Sequence, residues 1–353
     1  MVLFLPFLKA LRLGYPGAHI AGLFSSSNGA DLLLKSVDQL VNEVIVLNLK
    51  GRSRFSRLLA GIKAGLKGWD MTIIRFNGVK AEVLLAGLVG RSRWRVGHCT
   101  TEEYRNRWNN FLNIKIEMDP GTHEVDRYLG LARGLKLEVP GRLPFFQLSE
   151  ITRQHVRSIL SQAGLNIHQF VALVPGSSGA QTWKRWPQSH WVELVRLLEK
   201  QGIHNVLIGS AEETSLCKQI LSDAGGPKSS AVLAGRLNLI ESIALCEAAK
   251  TVICCDSGLM HLSAAVNTPV VSLFGPTDET RTGPLGNGHI ILRAGSCHGR
   301  CFSLADPMGH TKCNPEQCMN AIEPSKVCEA TLKQLGTPHF QSHEVVRFKL
   351  NDL

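Results

Sequence analysis

The feature that most constrains this chain is a rhythm. Apolar runs of strand length alternate with stretches of helical period across most of its 353 residues. EVIVLNL (43–49) and DMTIIRF (70–76) read as strands in the first half; QFVALVP (169–175), NVLIGS (205–210), KTVICCD (250–256) and TPVVSLFG (268–275) read as strands in the second. They are β-branched and apolar on both faces, as strands of a parallel sheet covered by helices should be. Helical patterns fall at 189–202, 212–226 and 239–250, and Gly202 and Gly225 stand where helix C-caps belong. The alternation predicts an α/β fold with doubly wound parallel sheets.

A chain of this length exceeds one ordinary core. The stretch EVPGRLPFFQLSE (138–150), with two prolines and a glycine, reads as a linker before a helix that starts near 151. The expected domains are therefore 1–145 and 146–330. The remainder, 331–353, is expected to be a tail, polar and unpatterned beyond about 337.

The formal net charge is +10 and the pI about 9.2. Such a balance implies an acidic partner: nucleic acid, a phosphorylated small molecule or an anionic membrane surface. Aromatic content is 6%, and no nucleic-acid motif is visible, so no nucleic-acid partner is expected. No apolar run reaches the length of a membrane span. The opening MVLFLPFLKAL is apolar around most of a helix, yet has no basic stretch before it and no small-residue cleavage site after it, so it is not read as a secretory signal. Ten cysteines without such a signal point to a reducing compartment and mostly free thiols.

Two turns in the second half carry the chemistry. In VPGSSGAQTWKRWP (174–187) a strand ends and Gly176, Ser177, Ser178, Gly179 and Lys184 follow. Exposed N–H groups, hydroxyls and a lysine suit a phosphate; the alternative is an ordinary surface loop. In CCDSGLMHLSAAVNTPVVSLFGPTD (254–278) a strand leads to Asp256, then to a helix opening at Ser257-Gly258. The partial positive charge of that helix end suits a diphosphate. His261 lies one turn in, either structural or facing the ligand, and Gly275-Pro276-Thr277 forms a turn bordering the same crevice. Glu213, after the strand ending IGS, is either a ribose contact or a carboxylate favoured at a helix start.

PGSSGAQTWKRWPQSHWVELVRLL, IGSAEE and VICCDSGLMHLSAAVNTPVVSLFGPTDETRTGP together resemble glycosyltransferase family 9, the ADP-heptose:lipopolysaccharide heptosyltransferases. LPFLKALRLGYPGAHI and HEVDRYLGLARGL (123–135) extend the resemblance into the first half. It implies a GT-B architecture, two Rossmann-like domains facing a cleft, with a nucleotide sugar in the C-terminal domain and a lipid-linked acceptor in the N-terminal one. The implied reaction is inverting transfer of heptose from ADP-L-glycero-D-manno-heptose to the lipopolysaccharide inner core, with no cofactor required. The implied location is cytoplasmic, peripheral on the inner face of the cytoplasmic membrane. Carried over, Lys184 and Ser178 contact the diphosphate or sugar, Asp256 the sugar, and Ser257, Gly258 and His261 surround the diphosphate. Glu213 matches the ribose contact, Leu237 lies near the adenine, and Thr277 borders the pocket. A lysine and a helix N-terminus would stabilise the leaving ADP in place of a divalent metal.

In that family a strand, a glycine-rich turn and Gly-Asp precede an apolar helix containing Leu-Pro, and the aspartate acts as general base. Leu5-Pro6 match the Leu-Pro, so Gly-Asp would precede Met1. The N-terminal domain is then expected to lack its first strand, no catalytic base is assigned, and this chain is expected to transfer heptose very poorly.

Cys297, Cys301, Cys313 and Cys318 are spaced C-x3-C-x11-C-x4-C. They are read either as free thiols or as ligands of a structural zinc or iron. NLKGRSRFSRLLAGIKAGLKGW (48–69) holds six basic residues and no acid. It reads as a solvated helix face or as a surface for anionic lipid or a phosphorylated acceptor, with Arg52, Arg54 and Arg57 the residues to test. Two rivals remain: a relative using another nucleotide sugar, and a non-catalytic nucleotide-sugar-binding protein.

Overall fold

The computed structural model of the chain describes residues 1–24, 30–37, 40–47, 53–74, 81–99, 111–119, 121–145, 147–177, 179–293, 315–336 and 346–349. The chain divides into two compact units, one of Met1 and Leu3–Pro144, the other of Val2 and Phe145–Leu353. No described helix is long and apolar enough to cross a membrane.

The first unit runs α1 (Leu5–Gly14), β1 (Ala21–Phe24), α2 (Ala30–Ser36), β2 (Glu43–Val46), α3 (Arg54–Gly65), β3 (Met71–Ile74), α4 (Ala81–Val89), β4 (Trp94–Cys99), β5 (Ile114–Glu117) and α5 (Glu124–Gly134). The apolar opening of the sequence is α1. Pro6 sits in its first turn, where a missing N–H costs nothing. Leu5, Phe7, Leu8 and Leu11 are buried, α1 packs on α5, and the Phe4 ring meets Tyr128 edge-on at 5.0 Å.

The second unit runs α6 (Glu150–Gln162), β6 (Phe170–Val174), α7 (Gln188–Lys200), β7 (His204–Leu207), α8 (Thr214–Asp223), β8 (Ser230–Val232), α9 (Leu239–Ala248), β9 (Thr251–Cys255), α10 (Gly258–Ala265), β10 (Val270–Phe274), α11 (Glu279–Thr282), β11 (Ile290–Arg293), α12 (Pro315–Asn320), α13 (Pro324–Gly336) and β12 (Val346–Lys349). Its seven strands are all parallel, in the order β12-β11-β10-β9-β6-β7-β8. The chain leaves β6 toward β7 and β8, then crosses back to β9 on the other side of β6. The switch point of a doubly wound sheet therefore lies between β6 and β9. Both strands are buried at every residue, as is β10. Helix α7 buries Trp191, Leu194 and Leu198 against this sheet, and the Trp186 indole donates to the Ile322 carbonyl at 2.9 Å. Gly202 has a φ of +68° and Gly225 of +98°, closing α7 and α8 as the sequence predicts.

The segment from 331 onward departs from the expected tail. Helix α13 continues to Gly336 and packs on α7, and Val346–Lys349 pairs with β11. Pairing with an existing edge, rather than apolar patterning, makes that last strand.

The first unit is built differently at its middle. β1 pairs with β2, and β3, β4 and β5 form a separate parallel sheet. Among the described residues no strand joins β1 to β3. Among the described residues the first unit thus holds two separate parallel sheets, β1-β2 and β3-β4-β5. Every residue of β1 and β2, and three of the four in β3, is only half-buried.

Candidate functional site

The strands of the second sheet are parallel, so the loops after β6, β7, β8, β9 and β10 all emerge at one edge. The loops after β6 and β9 flank the switch point. Their central contact is an ion pair: Lys184 Nζ donates to Asp256 Oδ2 at 2.8 Å. The two side chains are only 12% and 7% exposed. A buried pair of this kind is held in place by the desolvation cost of separating it.

Each partner is positioned by its own loop. The chain leaves β6 through Pro175, Gly176 and Ser177, then makes a 3-10 turn, Gly179–Lys184. Ser177 donates to the Gln181 carbonyl at 3.1 Å, and Arg185 donates to the Ser177 hydroxyl and carbonyl at 3.1 and 2.9 Å. Arg185 thus clamps the turn that presents Lys184. Asp256 closes β9, and Ser257 caps α10 by accepting from the Met260 N–H at 3.4 Å. Thr282, at the end of α11, donates to Asp256 Oδ2 at 3.5 Å. Neither Arg185 nor Thr282 stood out in the sequence. Both lie within the quoted stretches, Arg185 next to Lys184 and Thr282 in TDETRTGP, and only folding brings them to the ion pair.

Glu213 lies beside the β6 loop. Its Oε2 accepts from the Ser210 N–H at 2.8 Å in a capping box. A Cβ on Gly176 would fall 1.8 Å from Glu213 Oε1, so only glycine lets the carboxylate lie there. Both alternatives weighed for Glu213 thus have a footing: it caps its turn, and it faces the switch-point loop. Leu237 is half-buried in the turn between β8 and Asn238, the cap of α9. Thr277 is buried after β10, its carbonyl accepting from Arg293 at 2.9 Å. Gly258 and half-buried His261 lie in the first turn of α10. Ser178 lies outside the described residues.

The thiols nearest this edge are inert. Burial pushes Cys255 up to about 12 and Cys254 well above the ordinary thiol range, so neither is a nucleophile. Of the four cysteines considered as metal ligands, Cys297, Cys301 and Cys313 lie outside the described residues. Cys318 is buried on α12, and no group of three candidate ligands stands among the described residues.

The basic segment is α3. Arg57 lies in that helix and is half-buried. Arg52 and the Arg54 side chain lie outside the described residues.

A buried lysine–aspartate pair, a clamped glycine-hydroxyl turn and a helix N-terminus meet at the switch point of a doubly wound α/β sheet. The chain belongs to glycosyltransferase family 9 (heptosyltransferase), whose model matches residues 70–312. Lipopolysaccharide heptosyltransferase 2 of Salmonella typhimurium is 32% identical over 238 residues, and that of Escherichia coli 29%. Each match covers 64% of this chain and 66% of the relative, so it spans slightly under two thirds of the relative's length. The solved structure of E. coli ADP-heptose lps heptosyltransferase II superposes with a TM-score of 0.70, at 25% identity and 95% coverage of both chains. The α/β, GT-B class expected from the sequence is the class of these relatives.

Proposed function

We propose that the second unit binds an ADP-heptose donor and that the protein is an inverting glycosyltransferase that moves heptose to the lipopolysaccharide inner core. The observation that carries this reading is the Lys184–Asp256 pair across the switch point, in a chain of a heptosyltransferase family. The name of the superposed E. coli enzyme includes ADP-heptose, which supports the choice of donor.

When donor enters, Lys184 exchanges part of its bond to Asp256 for the diphosphate. The freed carboxylate accepts from sugar hydroxyls. As the sugar–phosphate bond breaks, negative charge grows on the departing ADP. Lys184 and the N–H groups at the start of α10 lie where that charge develops, in a water-poor setting where they act strongly. Ser178 and His261 complete the diphosphate contacts, Glu213 holds the ribose, and Leu237 and Thr277 border the nucleoside. The attacking hydroxyl gives its proton to a carboxylate base. Asp256 is not that base, because its carboxylate is occupied by the sugar hydroxyls and what remains of its bond to Lys184. An inner-core acceptor is lipid-linked, which supports a location on the inner face of the cytoplasmic membrane.

Titration calorimetry tests this directly. ADP and ADP-heptose should bind, and Lys184→Ala should weaken both about tenfold or more, the worth of a charge-assisted hydrogen bond. Asp256→Ala should weaken ADP-heptose while leaving ADP nearly unchanged. UDP-sugars binding as well as ADP-heptose, or a silent Lys184→Ala, would sink the reading.

A further inference from the structure

Helix α3 carries a second, separate device. Its cap is Ser53, whose hydroxyl accepts from the Ser56 N–H at 3.2 Å. One side packs on α4 through small residues: Gly61, Ala64 and Gly65 are buried, and Gly65 admits the Ala86 carbonyl so closely that a Cβ there would fall 2.7 Å from it. An adjoining side is apolar and open to solvent. Phe55 is 70% exposed, Leu58 39%, Leu59 49% and Leu66, just past the helix, 75%. Positions 55, 58, 59, 62 and 66 follow helical spacing and form one stripe, with half-buried Ile62 completing it. Arg54 borders the stripe on one side by the same spacing, and Lys63 and Lys67 on the other. Lys67 is paired with Glu43 from β2, and the helix has no acid in its first turn. No acidic residue occurs anywhere in 48–69.

A helix that covers its small residues and exposes its large ones reverses the usual order. Water disfavours such a stripe, and a second protein surface would have to match its cationic borders with acids. An anionic bilayer satisfies both at once, because its headgroups meet the cations and its acyl boundary takes the rings and branched chains. We infer that α3 is an interfacial membrane anchor, inserting Phe55, Leu58, Leu59 and Leu66 into an anionic lipid surface while its basic borders stay among the headgroups. The inference deepens the membrane-side location proposed above and stands on α3's own geometry. It names the element that docks and makes insertion, not charge alone, the main contact.

Vesicle co-sedimentation of the full chain tests it, with calorimetric ADP binding as a separate readout. The chain should partition onto phosphatidylethanolamine–phosphatidylglycerol vesicles, more weakly in high salt, and poorly onto phosphatidylcholine alone. The Phe55→Ser/Leu59→Ser variant should lose about tenfold or more of that partitioning, since two large apolar groups no longer leave water. Both side chains are exposed, so its melting temperature and ADP binding should stay those of the parent. Unchanged partitioning of the variant, or equal binding to neutral vesicles, would overturn the inference. So would self-association of the parent that the variant abolishes, because the stripe would then belong to a second copy. Loss of ADP binding in the parent would count against the donor reading alone.

Discussion

Gly176 and Glu213 show how tightly the candidate site is drawn at single residues. The glycine follows β6, the carboxylate follows β7, and a methyl group on one would overlap the other. The clashing atom is the end of a flexible side chain, so Gly176→Ala should fold. It should displace the carboxylate, break its bond to the Ser210 N–H, and cost about 1 kcal/mol, the usual worth of a helix cap. Urea unfolding would show that cost, and calorimetry should show a larger loss in donor affinity. Full stability together with full affinity would mean that the carboxylate has room to spare. The glycine-hydroxyl turn is legible in the sequence because its residue types suit only a few backbone shapes. Its contact with Glu213 is not legible, because 37 positions of chain separate two atoms that the sheet sets side by side.

Among the elements, length and pairing decide what can be read. The buried strands β6, β9 and β10 show continuous apolar runs and are plain in the sequence. β1 (AGLF) and β8 (SAV) are too short to carry a pattern, and they are strands because a neighbour supplies their hydrogen bonds. The two sheets of the first unit carry an exchange prediction. Among the described residues β1 pairs only with β2 and β3 only with β4, and β1 and most of β3 are half-buried, whereas β9 is paired on both sides and buried. Amides of Ala21–Phe24 and Met71–Ile74 should exchange well before those of Thr251–Cys255 in native-state hydrogen exchange, because local opening exposes fewer contacts there. Equal protection in all three would mean that the first unit's sheets are held as firmly as the second's.

Over the whole molecule, acid stability has an identifiable weak point. His289 is buried between β10 and β11. Its Nδ1 accepts from the Val270 N–H and its Nε2 faces the Leu285 carbonyl, each at 3.2 Å. That arrangement needs a neutral ring, and burial lowers its pKa to about 4. The unfolded chain protonates this group near 6.5, so between those values it binds more protons than the folded state. Stability is therefore full above about 6.5 and falls as pH drops toward about 4, by up to about 3 kcal/mol. Buried His98 is shifted in the same direction by the same cause. Urea unfolding at about pH 7 and about pH 4.5 should show a steeper acid loss in the parent than in His289→Gln; equal losses would place the acid sensitivity elsewhere. None of this is visible in the sequence, where His289 is one of 13 histidines and its burial depends on which strands flank it. By itself the sequence determined the α/β class, and it singled out the glycine-hydroxyl turn, the lysine and the aspartate as candidates. These follow from local periodicity and backbone preference, which neighbouring residues carry. The tertiary structure alone decided that Lys184 binds Asp256 and that Arg185 and Thr282 steady them. It also decided that α3 turns its large side chains outward and that, among the described residues, the first unit's strands form two sheets. Those outcomes depend on which distant segments share an edge or a face, and one strand's pairing is set by the folding of all the others.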